Sequence, residues 1–378
     1  MTPPAAPSAL DGRPLDPAIF VGGMPRSGTS LMRAILAAHP DVAMFPGELP
    51  LWSQLARAHA GQDLSRPPAR ERLVRDLVTH PRMKRAHVTL DGEALAAALD
   101  VEPVVRLGTV FALALRQYAR QTGKPRWGAK DPRNEFHADR IFAELPAAAV
   151  IHLIRDPRDV LASQRAMWGR RAQHLVSTTD DWRRSAGLAR RQAAGRGTYV
   201  VLRYEDLVTD PERIVRDVCR VLGLDYRSTM LDLAGQPLWP GGEAPEIGPG
   251  VPVISPSRIG RHRGEVPPRE IRYIEWRARR EMRAWGYAPG PASRPTGRAS
   301  RAASARRARG GPCAGSASGR SSRARSAASR PRGESAAAGR SASSIPAISN
   351  LGPHPAAASE MPSDSRFGAT RGVSGKSS

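Results

Sequence analysis

The sequence predicts an α/β fold: a P-loop-like three-layer domain with a central, mostly parallel sheet, followed by a disordered basic C-terminal tail. Three observations predict it. The β-branched and aromatic run Ile19-Phe20-Val21 breaks into a glycine loop from Gly22 to Ser30, and apolar residues then recur at Leu31, Ile35 and Leu36 with helical spacing, so the stretch reads as strand, loop and helix. Two later apolar runs, Val150 to Ile154 and Tyr199 to Leu202, are each followed by a helical pattern, as expected of buried parallel strands covered on both faces. Finally, residues 289–378 are dominated by Ser, Ala, Arg, Gly and Pro, with Phe367 as their one aromatic residue, and bury too little apolar surface to offset the entropy of ordering. The expected organisation is therefore a Pro-rich lead-in over 1–16, one folded domain over 17–288 and the tail.

The tail holds 15 Lys or Arg against 3 Asp or Glu, so it supplies +12 of the formal +23 and leaves the folded part basic at +11. A basic domain suits an anionic small molecule, and a high isoelectric point alone does not argue for nucleic acid. The Arg-rich run 301–309 implies only a salt-sensitive, nonspecific affinity for polyanions. Such monotony arises in a solvated tail and equally from a misread frame of a GC-rich gene. Cys219 and Cys313 are too far apart in kind and place to imply a disulfide framework or metal cluster. The N-terminus lacks a basic start followed by an apolar run, and no stretch reaches the roughly 18 apolar residues of a membrane span, so the expected location is the cytoplasm.

The loop nearly spells the P-loop of triphosphate-binding proteins, G-x-x-x-x-G-K-[ST], because Gly23 to Ser30 supplies both glycines and the last hydroxyl. Thr29, however, stands where the phosphate-reaching lysine belongs, and the only cation in the loop is Arg26. A backbone cradle without that lysine suits a bisubstituted nucleotide lacking a γ-phosphate. Pro25-Arg26-Ser27-Gly28-Thr29-Ser30 resembles the loop P-[KR]-[SA]-G-T-[TS] of sulfotransferases that use 3′-phosphoadenosine-5′-phosphosulfate (PAPS), and fits it at every position. The resemblance implies that Arg26, Ser27, Gly28, Thr29 and Ser30 hold the 5′-phosphosulfate.

Further along, His39-Pro40-Asp41 stops the first helix, since proline disfavours helical geometry in the residue before it. An extended piece, Val42 to Glu48, follows. In tyrosylprotein sulfotransferases and similar bacterial enzymes a His-Pro-Asp-Val turn precedes the catalytic base by about ten residues, and by that resemblance Glu48 takes the role. Residues 51–124 read as helical, with apolar stripes through Leu51, Leu55, Leu73, Leu77, Leu95 and Leu99 that belong to packing. Lys130-Asp131-Pro132 reads as a lysine at a fixed loop position before a turn and a helix over about 133–145, with Phe136, Ile141 and Leu145 facing the sheet. It resembles the Lys-Asp-Pro segment of the same enzymes, which implies that Lys130 stabilises the bridging oxygen of the transferred sulfuryl group.

The second distinctive motif runs from Arg155 to Ser163. Arg155 ends a buried strand and Ser163 lies about two turns into the next helix, so both can face the crevice at the carboxyl edge of the sheet. The pattern matches R-[DN]-P-R-[DE]-x-x-x-S, the 3′-phosphate element of sulfotransferases, with Arg155 and Ser163 on its two binding positions. Arg203, Tyr204 and Glu205 read as mainly structural. Residues 232–255 read as a Gly/Pro-rich lid, leading to Ser257 and Arg258, which resemble more loosely the family's late phosphate-closing segment, with His262 where a tryptophan is usual. A final helix carries the stripe Ile271, Ile274, Ala278, Met282 and Trp285.

Taken together, the resemblance implies sulfuryl transfer from PAPS to a hydroxyl or amine, with adenosine 3′,5′-bisphosphate as product and no metal required. The acceptor, whether carbohydrate, metabolite or peptide, would be set by residues 51–124 and 165–195. The competing readings are a P-loop kinase, which Thr29 disfavours, and a polyanion binder acting through the tail.

Overall fold

The structure is a computed structural model that describes residues 18–169, 174–192, 197–233 and 254–288. The lead-in, most of the expected 232–255 lid and the tail from 289 onward lie outside the described residues. Among the described residues, five strands form one sheet: β1 (Ile19–Gly23), β2 (Val42–Glu48), β3 (Arg126–Lys130), β4 (Ala149–Ile154) and β5 (Thr198–Arg203). Their order is β2-β3-β1-β4-β5 and every pairing is parallel, so the sheet is wholly rather than mostly parallel. All strand ends of one polarity therefore meet along one rim.

Strand alternation sorts the core into two layers. Ile19, Val21, Ile151, Leu153, Val200 and Leu202 pack with helix α1 (Thr29–Ala37) on one face, whereas Phe20, Val150, Ile154, Tyr199 and Val201 pack on the other with helix α2 (Leu107–Gln121) and helix α3 (Pro157–Trp168). Phe20 is the hub of the second layer, meeting Trp52 at 6.0 Å and Trp127 at 6.5 Å edge-on. Such aromatic pairs add about 0.5–1.5 kcal/mol beyond the area they bury. β1 and β4 are neighbours, yet α1 and α3 leave them for opposite faces, and this opens the crevice in which ligands of open parallel sheets bind.

Several expectations are corrected in detail. Lys130 is the last residue of a strand, β3, and not a loop residue. Arg126-Trp127-Gly128-Ala129 lacks the β-branched run that marks a strand, and small residues are there because the sheet is tight: a Cβ on Gly128 would lie 2.4 Å from the Ile19 carbonyl oxygen and 2.6 Å from Met44 Sδ. The helix expected over 133–145 is a 3₁₀ turn, Asn134–His137, followed by a short helix, Ala138–Glu144. Ile141 and Leu145 are buried as expected, but Phe136 is half-buried and turned from the sheet toward Arg184, whose guanidinium lies 5.4 Å from its ring. The last helix is broken at Ala278 into Pro268–Arg277 and Arg279–Ala284, although Ile274, Ala278 and Met282 still form the buried stripe. The long helix α4 (Leu175–Gln192) sits beside α3 and sends Trp182 into the core. No helix among the described residues is long and apolar enough to cross a membrane.

Candidate active site

The loop after β1 is shaped by two glycines and one strained arginine. Gly23 (φ 133°) and Gly28 (φ 96°) adopt backbone that side chains rarely tolerate, and a Cβ would come within 2.4 Å of the Leu153 carbonyl oxygen or 2.7 Å of the Tyr204 ring. Arg26 takes a positive φ of 76° without being glycine, a conformation that costs about 1–3 kcal/mol and clusters at ligand sites. The turn closes through the Ser27 amide on the Met24 carbonyl at 3.0 Å, and α1 starts at Thr29 with no side-chain cap on its first amides. Those amides and the positive end of the helix dipole face the crevice as an anion site. Ser27 Oγ is fully buried and has no hydrogen-bond partner among the described residues, while Thr29 and Ser30 are buried beside it.

The motif around Arg155 folds directly against this loop. Arg26 Nε donates to Ser163 Oγ at 3.1 Å, and Arg155 Nη1 donates to the Arg26 carbonyl at 3.0 Å. Arg155 Nη2 reaches the Arg258 carbonyl at 2.7 Å, and its guanidinium lies over the Tyr204 ring at 4.3 Å. Burial, with the positive charges of Arg155, Arg258 and Arg261 behind it, pulls the Arg26 pKa down to about 10. Four arginines, Arg26, Arg155, Arg258 and Arg261, thus gather closely enough around the loop for their charges to oppose one another. Of the nucleotide residues expected from sequence, Arg26, Ser163, Arg155 and Arg258 are brought into one contiguous group. Ser257 is exposed, and its amide is spent on Ser255 Oγ at 3.2 Å.

At the other end of the rim, β2 bulges. Met44 pairs with Gly128 and Glu48 pairs with Lys130, so four steps on β2 match two on β3, and the extra length over Phe45-Pro46-Gly47 re-aims Glu48 at Lys130. Lys130 Nζ donates to Glu48 Oε1 at 2.8 Å, and Arg82 approaches the other oxygen at 3.4 Å. Burial pushes the Glu48 carboxyl up, but Lys130, Arg82 and Arg26 outweigh it and hold it below its ordinary range; burial pulls the Lys130 ammonium down despite Glu48.

Residues 17–228 match the family model described as the sulfotransferase family. The chain belongs to that family. It is similar to nodulation protein NoeE of Sinorhizobium fredii, 28% identical over 237 residues that make up 57% of this chain and 52% of the relative. It is also similar to protein-tyrosine sulfotransferase 2 of Gallus gallus, 27% identical over 234 residues, 58% of this chain and 56% of the relative. The chain thus spans about half the length of the curated relatives it matches. Among solved structures, a sulfotransferase domain from the curacin biosynthetic pathway aligns with a TM-score of 0.49 at 20% identity, over 74% of this chain and 100% of that domain.

In this sulfotransferase-family chain, sequence reasoning missed the residues that brace the site. Asp159 accepts from the Gly260 amide at 2.7 Å, the His262 amide at 3.0 Å and His262 Nδ1 at 2.5 Å, tying the late segment to α3. Gln164 Nε2 donates to the Pro25 carbonyl at 3.2 Å, and Glu205 joins the Asp156 amide to the Tyr287 hydroxyl. Their partners lie 49 to 139 residues away in sequence, beyond any local pattern. The one available signal was the second acid of Arg155-Asp156-Pro157-Arg158-Asp159, an aspartate on an apolar helix face.

Proposed function

We propose that the chain transfers a sulfuryl group from PAPS to a hydroxyl or amine acceptor by in-line displacement, releasing adenosine 3′,5′-bisphosphate. The observation that carries the reading is the contact of Arg155, Arg26 and Ser163 across 137 residues of sequence, which joins a 5′-phosphate loop to a second phosphate-binding arginine. Two anion sites in one crevice suit a donor with negative charge at both ends. The uncapped amides of α1, the partnerless Ser27 hydroxyl, Thr29 and Ser30 fit the phosphosulfate, and Arg155, Ser163 and Arg258 fit the 3′-phosphate.

PAPS supplies an activated sulfuryl group whose leaving phosphate gains charge as the bridge breaks. Arg26 and the loop amides meet that charge from fixed positions, so no reorganisation is needed as it develops. Lys130, nine-tenths or more enclosed, keeps a compact cation at the rim beside Glu48. Glu48 is held ionised by that cation and takes the acceptor proton; a weak base suffices because the proton becomes acidic as the new S–O bond forms. A cavity of about 820 Å³ adjoins the loop at Met24 and Pro25 and the Lys130 strand end through Ser53, which donates to Asp131 Oδ2 at 2.5 Å. Phe136, Trp168 and Arg57 on its wall support a ring-bearing acceptor, such as the protein tyrosine named for the relative from Gallus gallus.

Calorimetry with adenosine 3′,5′-bisphosphate on the full chain tests the reading. Arg155→Ala should weaken that binding by about 1.5–3 kcal/mol, the worth of a hydrogen bond to a charged group. Unchanged affinity would remove Arg155 from the donor site, and absence of binding to the unaltered protein would defeat the proposal.

A further inference from the structure

Behind the donor loop lies a chain of buried polar groups that the reaction does not use. Glu135, His152, Ser185 and Tyr199 are each buried, Glu135 and His152 completely. Glu135 Oε2 accepts from the Gly23 amide at 2.8 Å, and Ser185 Oγ donates to Glu135 Oε1 at 3.0 Å. His152 Nε2 is 2.8 Å from Ser185 Oγ, and His152 Nδ1 is 2.8 Å from the Tyr199 hydroxyl.

With Glu135 ionised, one assignment of protons satisfies every group. Burial lowers His152 to about pKa 3, so the ring is neutral and carries one proton. Because Ser185 gives its proton to Glu135, it accepts from His152, which places the ring proton on Nε2 and leaves Nδ1 to accept from Tyr199. Donation runs in one direction, Tyr199 to His152 to Ser185 to Glu135, and ends on a carboxylate whose other oxygen holds the loop. Gly23 is the residue at which β1 leaves the sheet, so its amide loses its strand partner there. The backbone is closely packed at this point: a Cβ on Gly22 would meet the Glu135 amide at 2.7 Å, and one on Gly23 would meet the Leu153 carbonyl oxygen at 2.4 Å.

We propose that Glu135 is a positioning residue for the donor site, fixing the first turn of the loop through the Gly23 amide as the end of this one-way hydrogen-bond chain. It touches no reacting atom and acts through the backbone of residues 22–30. The inference rests on the reading of that loop as the phosphosulfate cradle, but it makes a separate structural claim. An amide in place of the carboxyl can still accept from Gly23 with its oxygen and donate to Ser185 with its nitrogen, whereupon Ser185 and His152 each reverse and the cost falls on the Tyr199 hydroxyl, which loses its acceptor at the far end from the loop. Glu135→Gln should therefore preserve the loop, and Glu135→Ala should release it.

Hydrogen exchange followed by mass spectrometry on the ligand-free full chain reads the loop directly, and calorimetry with adenosine 3′,5′-bisphosphate reads its consequence. In Glu135→Ala, exchange over residues 22–30 should accelerate about tenfold or more while α5 (Pro211–Leu222) on the far side of the sheet keeps its protection, and affinity should fall about tenfold. Glu135→Gln should stay within about threefold of the parent in both, as expected for a substitution that keeps the hydrogen bond to the loop. Unchanged exchange in Glu135→Ala, acceleration spread evenly over the sheet, or a Glu135→Gln as damaged as Glu135→Ala would each overturn the proposal. If Glu135→Ala does not fold, Ser185→Ala takes its place, with a smaller loosening confined to the same residues expected and none overturning the chain. Should the parent protein bind no adenosine 3′,5′-bisphosphate, the functional reading fails while exchange still decides the role of Glu135.

Discussion

Glu48 and Glu135 stand on either side of the crevice, one at the end of β2 and the other beneath the end of β1, and the fold drives their carboxyls in opposite directions. Glu48 keeps more than a quarter of its side chain exposed and lies against a full positive charge, Lys130, at 2.8 Å. Glu135 is fully enclosed and meets only dipoles, namely its own amide, the Gly23 amide and the Ser185 hydroxyl. Burial wins at Glu135 and pushes it up to about 7, with Asp131 adding to the rise; at Glu48 the lysine and two arginines win. Asp139 and Asp131 are the acids that bear on the Glu135 chain, His152 and Tyr199 its titratable members. The difference teaches that hydrogen bonds from neutral groups moderate the cost of enclosing a carboxylate, whereas a cation reverses it.

The largest break in that comparison comes from Glu48→Gln. If Glu48 is the base, kcat should fall by about 10² to 10⁴, the usual share of general-base catalysis, with affinity for adenosine 3′,5′-bisphosphate retained. A kcat at the parental level would reject the assignment. A finer test follows the two carboxyls themselves by carbon-13 NMR of glutamate-labelled protein. Glu48, lowered by Lys130 and two arginines, should stay ionised to below the ordinary glutamate range, and Glu135, raised, should take its proton as pH falls through about 7. Coincident titration of the two would show that Lys130 does not set the contrast. The smallest effect is expected from ending the chain at residue 288: donor affinity should not change, while retention on a polyanion column at low salt should drop with the loss of 15 cationic residues. Loss of nucleotide binding on that truncation would move the site into the tail.

The residues of the proposed donor site stood out in the sequence because each motif is local, and the structure brings the two together. Gly23, Arg26 and Gly28 lie within six residues, and Arg155 and Ser163 are two turns of helix apart, so their spacing carries their geometry. β1 and β4 followed from apolar runs, although β1 continues to Gly23, two residues beyond the run Ile19-Phe20-Val21. β3 did not, because its tight packing against Ile19 and Met44 selects small residues that read as a loop. Glu135 and the Asp159–His262 pair were illegible for a different reason. A glutamate after Asn134 resembles any surface acid until the fold sets it 112 residues away against Gly23, and His262 acquires its meaning only from an aspartate 103 residues earlier. Phe136 looked like a core residue because its neighbours Ile141 and Leu145 are, and the 3₁₀ turn, which rotates it out of register, leaves no trace in hydrophobic spacing.

The order of the strands has an evolutionary corollary. Residues 51–124 enter and leave the sheet through β2 and β3 at one edge, whereas both motifs proposed to bind phosphate hang from β1 and β4. Only Lys130 and Glu48 belong to both territories, hinged at the β2–β3 border. A lineage could therefore rewrite the helical insert, residue by residue or wholesale, and acquire new clients without renegotiating its grip on a common currency molecule.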